Sequence, residues 1–438
     1  MAESAQRLWA PRAWMQGRWH ESVLLEVTED GRWGTIKPDT PRAPDMAALP
    51  GAVLPGLVNA HSHAFQRAFV GLAERRDSEH DDFWSWRDRM YGVALSITPE
   101  RLRALAAHLY AELLHGGYTQ VCEFHYLQHA PDGSRYADRL SMSRALVQAA
   151  QDTGIGLTLL PVLYERAGFD AAGLRDDQRR FATTVEDVLA LRDGIRALRV
   201  PNVGAGVAVH SLRAAKALSI LQLAQRCAGD AAPIHIHVAE QTAEVDDCVA
   251  ASGLRPVEWL ARHVALDARW QLVHATHTVP AEVDAVAASG AGVVLCPSTE
   301  ANLGDGLPDL PRWLNGATPL SIGSDSHVTR DWREELRLLE YGQRLTQLRR
   351  NVAAAPDNGL PSTAVRLFER MLTGGAAAAG LGAWGLRAGA RADLLVIDAS
   401  DPALAERGAD SLLDTLVFSS PTRPFVGVMV AGRWRVGG

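Results

Sequence analysis

Short apolar runs rich in β-branched residues alternate with amphipathic helical patterns along most of this chain, and that alternation limits its fold more than any other feature. The runs fall at residues 53–59 (VLPGLVN), 119–124 (TQVCEF), 157–163 (LTLLPVL), 203–209 (VGAGVAV), 234–238 (IHIHV), 270–273 (WQLV), 292–296 (GVVLC) and 319–323 (PLSIG). Between them stand helical stretches such as PERLRALAAHLYAELLHGG and AAKALSILQLAQRC, several of them stopped by glycine. Strand and helix in strict turn imply parallel strands joined by right-handed crossovers. Eight such units match a (β/α)8 barrel of TIM type. An open doubly wound sheet is the alternative, but no GxGxxG turn follows the first run.

Both ends of the chain change character. Residues 1 to about 50 alternate as short strands, and so do the last fifty, from ARADLLVIDASDP to FVGVMVAGRWRVGG. The expected layout is a small β-sandwich domain built from residues 1–54 and 385–438, flanking a catalytic barrel over 55–384.

Charge and composition narrow the possible partners. The chain has 438 residues, a formal net charge of −7 and no dense Lys/Arg cluster, which leaves no electrostatic footprint for nucleic acid or an anionic membrane. No apolar stretch approaches membrane-spanning length and the first residues lack a secretory pattern, so a cytoplasmic location is expected. The four cysteines, Cys122, Cys227, Cys248 and Cys296, show no CxxC spacing and read as reduced thiols.

In a barrel of this kind chemistry gathers at the carboxyl ends of the strands. Metal-competent and polar residues recur there: His61 and His63, then Glu123, His125 and Tyr126, then Tyr164, His210 and Arg213, His237 and Glu240, His274 and His277, and finally Asp325 and His327. Core packing alone does not require this recurrence. Alternate residues of a strand share a face, so His61 and His63 can bind one ion together. His237 and Asp325 would complete a three-nitrogen, one-oxygen set with room for water, the open arrangement of a catalytic metal. Taken singly, each histidine reads as readily as an ordinary imidazole; at matching strand ends, together, they read as a site.

The motifs HSH, HVAE, HATH and SDSH, with the closing GLRAGARADLLVID, resemble the amidohydrolase superfamily over essentially the whole chain. In that superfamily two-metal members use a bridging carboxylated lysine. This chain has only Lys37 and Lys216, neither at a strand end, so the resemblance implies a single divalent ion, with zinc the first choice. The HVAEQ stretch is similar to that of the mononuclear deaminases. By that match Glu240 carries a proton from water to the departing nitrogen, and His274 and Asp325 help to deprotonate the water and polarise the substrate. The chemistry calls for such groups, because a divalent metal lowers the pKa of water from about 15.7 to about 7 and ammonia leaves poorly unless protonated.

The runs HSHAFQRAFVGLAERR, DDFWSWRDRMY, EFHYLQHAPDG and AVHSLRA are similar to members that act on a formimino-amino-dicarboxylate, implying N-formimino-L-glutamate as substrate. Two carboxylates are well held by arginine forks and hydroxyl donors, and the resemblance implies substrate contact for Gln66, Arg87, Tyr126, His210 and Arg213. A small-molecule dicarboxylate and a second copy of the chain in a homodimer are the expected partners. Deaminases of aromatic bases or of S-adenosylhomocysteine share the metal residues, though the arginine pair suits a neutral ring poorly. His80, His108, His115 and His263 lie in helical or charged stretches and read as ordinary surface or packing residues, His129 and His277 stay open, and His327 is a candidate support for Asp325 or for the water. STEANLGDG reads as a substrate loop.

Overall fold

The computed structural model describes residues 6–72, 74, 83–405, 407–420 and 423–437. His80 and part of the run between Phe69 and the Trp-rich segment therefore lie outside the described residues.

The parallel strands form in sequence order: Leu57–Ser62, Tyr118–His125, Gly156–Leu163, the broken pair Val203–Ala205 and Val207–Val209, Ile234–Val238, Trp270–His274, Gly292–Leu295 and Leu320–Ile322. They are termed barrel strands one to eight below. Strands one and eight approach at their carboxyl ends, where Ser62 bridges Asp325, His63 N–H donates to Asp325 O (3.3 Å) and Asp325 N–H donates to His61 O (3.0 Å). This junction nearly closes the ring and lies at the metal-competent residues. The strands are buried on both faces, as barrel strands covered by helices must be.

Two of the expected strands are divided. The run 53–59 breaks at Pro55-Gly56: Val53–Leu54 join the sheet of the chain ends, and barrel strand one begins only at Leu57 and continues to Ser62. Proline lacks the ladder donor, and a Cβ on Gly56 would stand 2.2 Å from Thr119 Oγ1. Strand four breaks at Gly206, where a Cβ would meet Pro233 O at 2.3 Å.

The two chain ends pair in one eight-stranded sheet. Its order runs from Arg433–Val436 through Phe425–Val430, Leu394–Ile397, Val53–Leu54, Gln6–Met15 and Arg18–Val27 to Trp33–Lys37, with Ala47–Ala48 beside Gln6–Met15. Its own apolar core includes Leu25, Trp33, Val53, Leu394, Val396 and Met429. The final fifty residues are not all strand, because Ala409–Ser419 is a helix. Leu412, Leu413, Leu416 and Val417 are buried, a helical spacing hidden among strand-like neighbours, and the helix packs on Trp332–Gln347 and Thr363–Ala378. The latter helix lies so close to the barrel that a Cβ on Gly374 would fall 1.9 Å from Leu320 O.

Candidate active site

Three imidazoles meet at the junction of strands one and five. His61 and His63 leave strand one on the same side, with their Nε2 atoms 3.0 Å apart, and His237 of strand five brings its Nε2 to 2.9 Å from that of His61. Asp325 Oδ1 lies 3.5 Å from His61 Nε2 and 3.4 Å from His63 Nε2. All four residues are buried. His63 Nδ1–H donates to Phe124 O (2.8 Å), which fixes the tautomer and turns a bare Nε2 lone pair toward its neighbours.

Burial, with repulsion from neighbouring imidazoles, pushes His61 down to about 3 and lowers His63 and His237 as well, so all three are neutral at physiological pH. Burial opposes ionisation of Asp325, yet the hydrogen bond with His61 and the surrounding imidazoles hold its carboxyl below the ordinary range. Neutral imidazoles and a carboxylate are the forms that ligate a metal. Donors of a tetrahedral site with bonds of about 2.0–2.1 Å stand about 3.3–3.4 Å apart, close to the spacings found here. The donor set fits one divalent cation.

Beside this cluster lies an acid-base pair. His274, at the end of strand six, places Nε2 3.6 Å from Glu240 Oε1 and 3.9 Å from Asp325 Oδ2. Burial raises Glu240 to about 7, against the pull of His274 and with the push of Asp325. Burial alone would lower His274, but Glu240, the hydrogen bond to Glu300 and Asp325 outweigh it and raise the imidazole to about 10. Burial and the mutual pull of these groups therefore favour a protonated pair in the neutral range. Backbone geometry marks the same place, since Ala239, His274, Ala275, Asp325 and His327 all have positive φ without being glycine. Such conformations persist only where surroundings enforce them.

Above the cluster opens a pocket of about 440 Å3, solvent at its mouth included. Gln66, Arg87, Tyr126, His210 and Arg213, the five expected substrate residues, all line it, with His63, His237, Glu240, His274 and Asp325 at its base. Gln66 Nε2 donates to Tyr126 OH (3.1 Å). Arg213 is buried and Arg87 half-buried, its guanidinium 5.5 Å from the Tyr91 ring centre. Burial, then the charges of Arg213 and Arg87, hold His210 well below the usual imidazole range. His210 stands outside the metal-competent trio and bonds Ser211 Oγ (3.2 Å).

The remaining histidines separate. His129 and His277 bond the carbonyls of Ala182 and Asp305 (2.7 Å each), and neither faces the pocket. His327 is buried beside Asp325 with Nδ1 2.9 Å from Ser324 Oγ. His108, His115 and His263 are exposed, as expected. Residues that sequence reasoning did not single out also line the pocket: Trp86, Met90 and Tyr91 from the helix Phe83–Ala94, and, from the expected substrate loop STEANLGDG, Thr299 and Leu303, which stand on the short helix Pro297–Leu303. Glu300 of that helix contacts His274 from behind. Glu123, noted only as a polar residue at a strand end, accepts from Ser62 Oγ (2.7 Å), Ala64 N–H (2.6 Å) and Tyr110 OH (3.2 Å), and so braces the turn that carries His61 and His63. Its buried position within a strand offered no periodic signal.

Known proteins share this architecture. The model of the Amidohydrolase family matches residues 52–435. The chain belongs to that family. As an amidohydrolase it is 47% identical over 431 residues to the formimidoylglutamate deiminase of Pseudomonas aeruginosa, covering 98% of this chain and 94% of that one. It is 29% identical to a 5-methylthioadenosine/S-adenosylhomocysteine deaminase of Natronomonas pharaonis, over 80% of this chain and 74% of the other. The crystal structure of an amidohydrolase from Brucella melitensis superposes with a TM-score of 0.93 at 41% identity, covering 99% of this chain and 95% of that chain.

Proposed function

We propose that this amidohydrolase hydrolyses the formimino C=N bond of N-formimino-L-glutamate, yielding N-formyl-L-glutamate and ammonia. The observation that carries the reading is the pairing of Arg87 and Arg213 on the wall of the pocket whose base holds Glu240 and His274. Two cationic forks match a substrate with two carboxylates, and the name of the Pseudomonas relative points the same way.

His61, His63, His237 and Asp325 would hold one divalent ion, which we assign as zinc from its preference for imidazole nitrogen with one carboxylate oxygen. Bound there, the ion supplies the positive charge that makes water acidic near neutral pH. Lys37 lies in the chain-end sheet and Lys216 precedes the helix Ala217–Arg226, so neither can bridge a second ion.

The chain's own groups handle the protons. Water adds to the formimino carbon as Glu240, aided by Asp325, removes its proton, while His274, held protonated by its carboxylate neighbours, polarises the substrate. Glu240 then delivers that proton to the nitrogen that was doubly bonded. Glu240 then takes a second proton from the new hydroxyl and passes it to the same nitrogen as the C–N bond breaks, so the nitrogen departs as ammonia and the carbon keeps a carbonyl oxygen. Gln66, Tyr126 and neutral His210 orient the substrate by hydrogen bonds, and the arginines hold its carboxylates. Residues 55–384 are assigned as the catalytic domain, and 1–54 with 385–438 as its companion. No helix among the described residues is long and apolar enough to cross a membrane; we place the enzyme in the cytoplasm, as a homodimer, in histidine degradation.

Ammonia release from metal-loaded protein tests the reading, with N-formimino-L-glutamate, guanine, cytosine and S-adenosylhomocysteine assayed in parallel. Release from the first alone is expected. Turnover of a neutral base instead would retain the deaminase chemistry and discard the substrate. Full turnover by a metal-replete Glu240→Gln variant would sink the catalytic account.

A further inference from the structure

Glu300 is buried, remote from solvent, and does not line the substrate pocket. Its Oε1 lies 3.3 Å from His274 Nδ1 and also receives the Cys296 N–H at 2.9 Å. Because that backbone N–H can only donate, Oε1 is an acceptor, and the ring nitrogen facing it must carry the hydrogen. The neighbour of one ring nitrogen thus sets the state of the other. Nε2 is left facing Glu240 and Asp325.

We propose that Glu300 is a positioning residue that holds the Nδ1–H, and with it the ring orientation, of His274, so that Nε2 is the nitrogen presented to Glu240 and Asp325. It rests on the function proposed above only in the role given to His274. First, His274 is the last residue of strand six, paired with Val238, and its φ of +70° with +50° at Ala275 departs from extended geometry, so regular strand geometry alone does not aim the ring. Second, Glu300 is itself held, because the helix Pro297–Leu303 is tied by Glu335, which accepts from Ser298 N–H (2.9 Å) and Ser298 Oγ (2.6 Å). Third, the same helix reaches the Asp325 turn, where Thr299 Oγ1 accepts from Ser326 N–H (3.1 Å). One short helix after strand seven therefore sets the relative placement of His274 from strand six and Asp325 from strand eight.

Glu300→Leu and Glu300→Gln separate this role from simple packing. Leucine fills the space without an acceptor. Glutamine keeps its oxygen inward, since Cys296 N–H still demands one, and that oxygen can still accept from His274. Loss of an outer-shell partner of this kind costs about 10–100-fold. The expected result for Glu300→Leu is a kcat lower by about that factor, with KM within about twofold and metal content unchanged. Glu300→Gln should stay within a few-fold of the parent. In protein labelled with 15N-histidine, the Nδ1–H signal that His274→Gln abolishes should persist in Glu300→Gln and vanish in Glu300→Leu. An unchanged kcat in Glu300→Leu, an equal fall in both variants, or an Nδ1–H signal that survives in Glu300→Leu would overturn the proposal. The NMR arm needs no turnover, so failure of the assigned substrate leaves it decisive, and if Glu300→Leu does not fold, loss of the signal in Glu300→Gln refutes the proposal.

Discussion

Replacing Glu123 is the perturbation whose size the structure sets best. Its carboxyl is buried, receives three hydrogen bonds and, among the described residues, is paired with no cation. Burial raises it to about 7, against the hydrogen bonds from Ala64, Ser62 and Tyr110 that favour the charged form. Since the folded pKa lies above the unfolded value, the native state binds the extra proton. The group's contribution to stability is full below about pH 4.5 and is lost as pH rises to about 7, a swing of about 3 kcal/mol. Glu123→Gln keeps an acceptor for Ala64 N–H and removes the titration. Urea unfolding of the metal-free protein at pH 5 and pH 8 should therefore show the glutamine variant gaining on the parent by about 3 kcal/mol as pH rises. Glu123→Ala should instead lose about 3–5 kcal/mol at both pH values, because the buried Ala64 N–H is orphaned and a void opens. It should also weaken metal retention, since Ser62 and Ala64 flank the paired histidines. A Glu123→Gln difference that does not change between the two pH values would refute the reasoning.

Other expectations follow from single contacts. Gly374→Ala would drive a methyl into the Leu320 carbonyl, and should cost about 3 kcal/mol or more, read as a lowered thermal midpoint. His235 is buried against Ala378 O and lowered to about 4 by burial, so its contribution is full above pH 6.5 and lost as pH falls to about 4. In acid titrations His235→Gln should be spared about 3 kcal/mol of that loss. Arg87→Ala and Arg213→Ala should each raise KM for a dicarboxylate about 10–100-fold with metal content intact, as loss of a charged hydrogen bond of about 1.5–3 kcal/mol requires. An unchanged KM in both would remove the arginines from substrate recognition.

Much of the site was legible because barrel topology turns sequence order into position. A residue at the carboxyl end of a strand must face the mouth, so His61, His63, His237 and Asp325 could be brought together from their spacing alone, and the five pocket residues followed from resemblance. Boundaries were less legible. The run 53–59 reads as one apolar strand, yet Pro55-Gly56 hands its first half to another sheet. The helix Ala409–Ser419 was missed because its apolar residues sit between two strand-like stretches.

The sequence by itself determined the alternation of strands and helices, the pairing of the chain ends and which donors stand at strand ends, because each depends on local periodicity and chain order. Only the tertiary structure decided which buried carboxylates serve those donors. Glu123 and Glu300 lie 61 and 26 positions from Ser62 and His274, and nothing in their own neighbourhoods specifies those contacts. A hydrogen bond between separate strands depends on register and side-chain direction, which the closing of the barrel sets for all its strands at once.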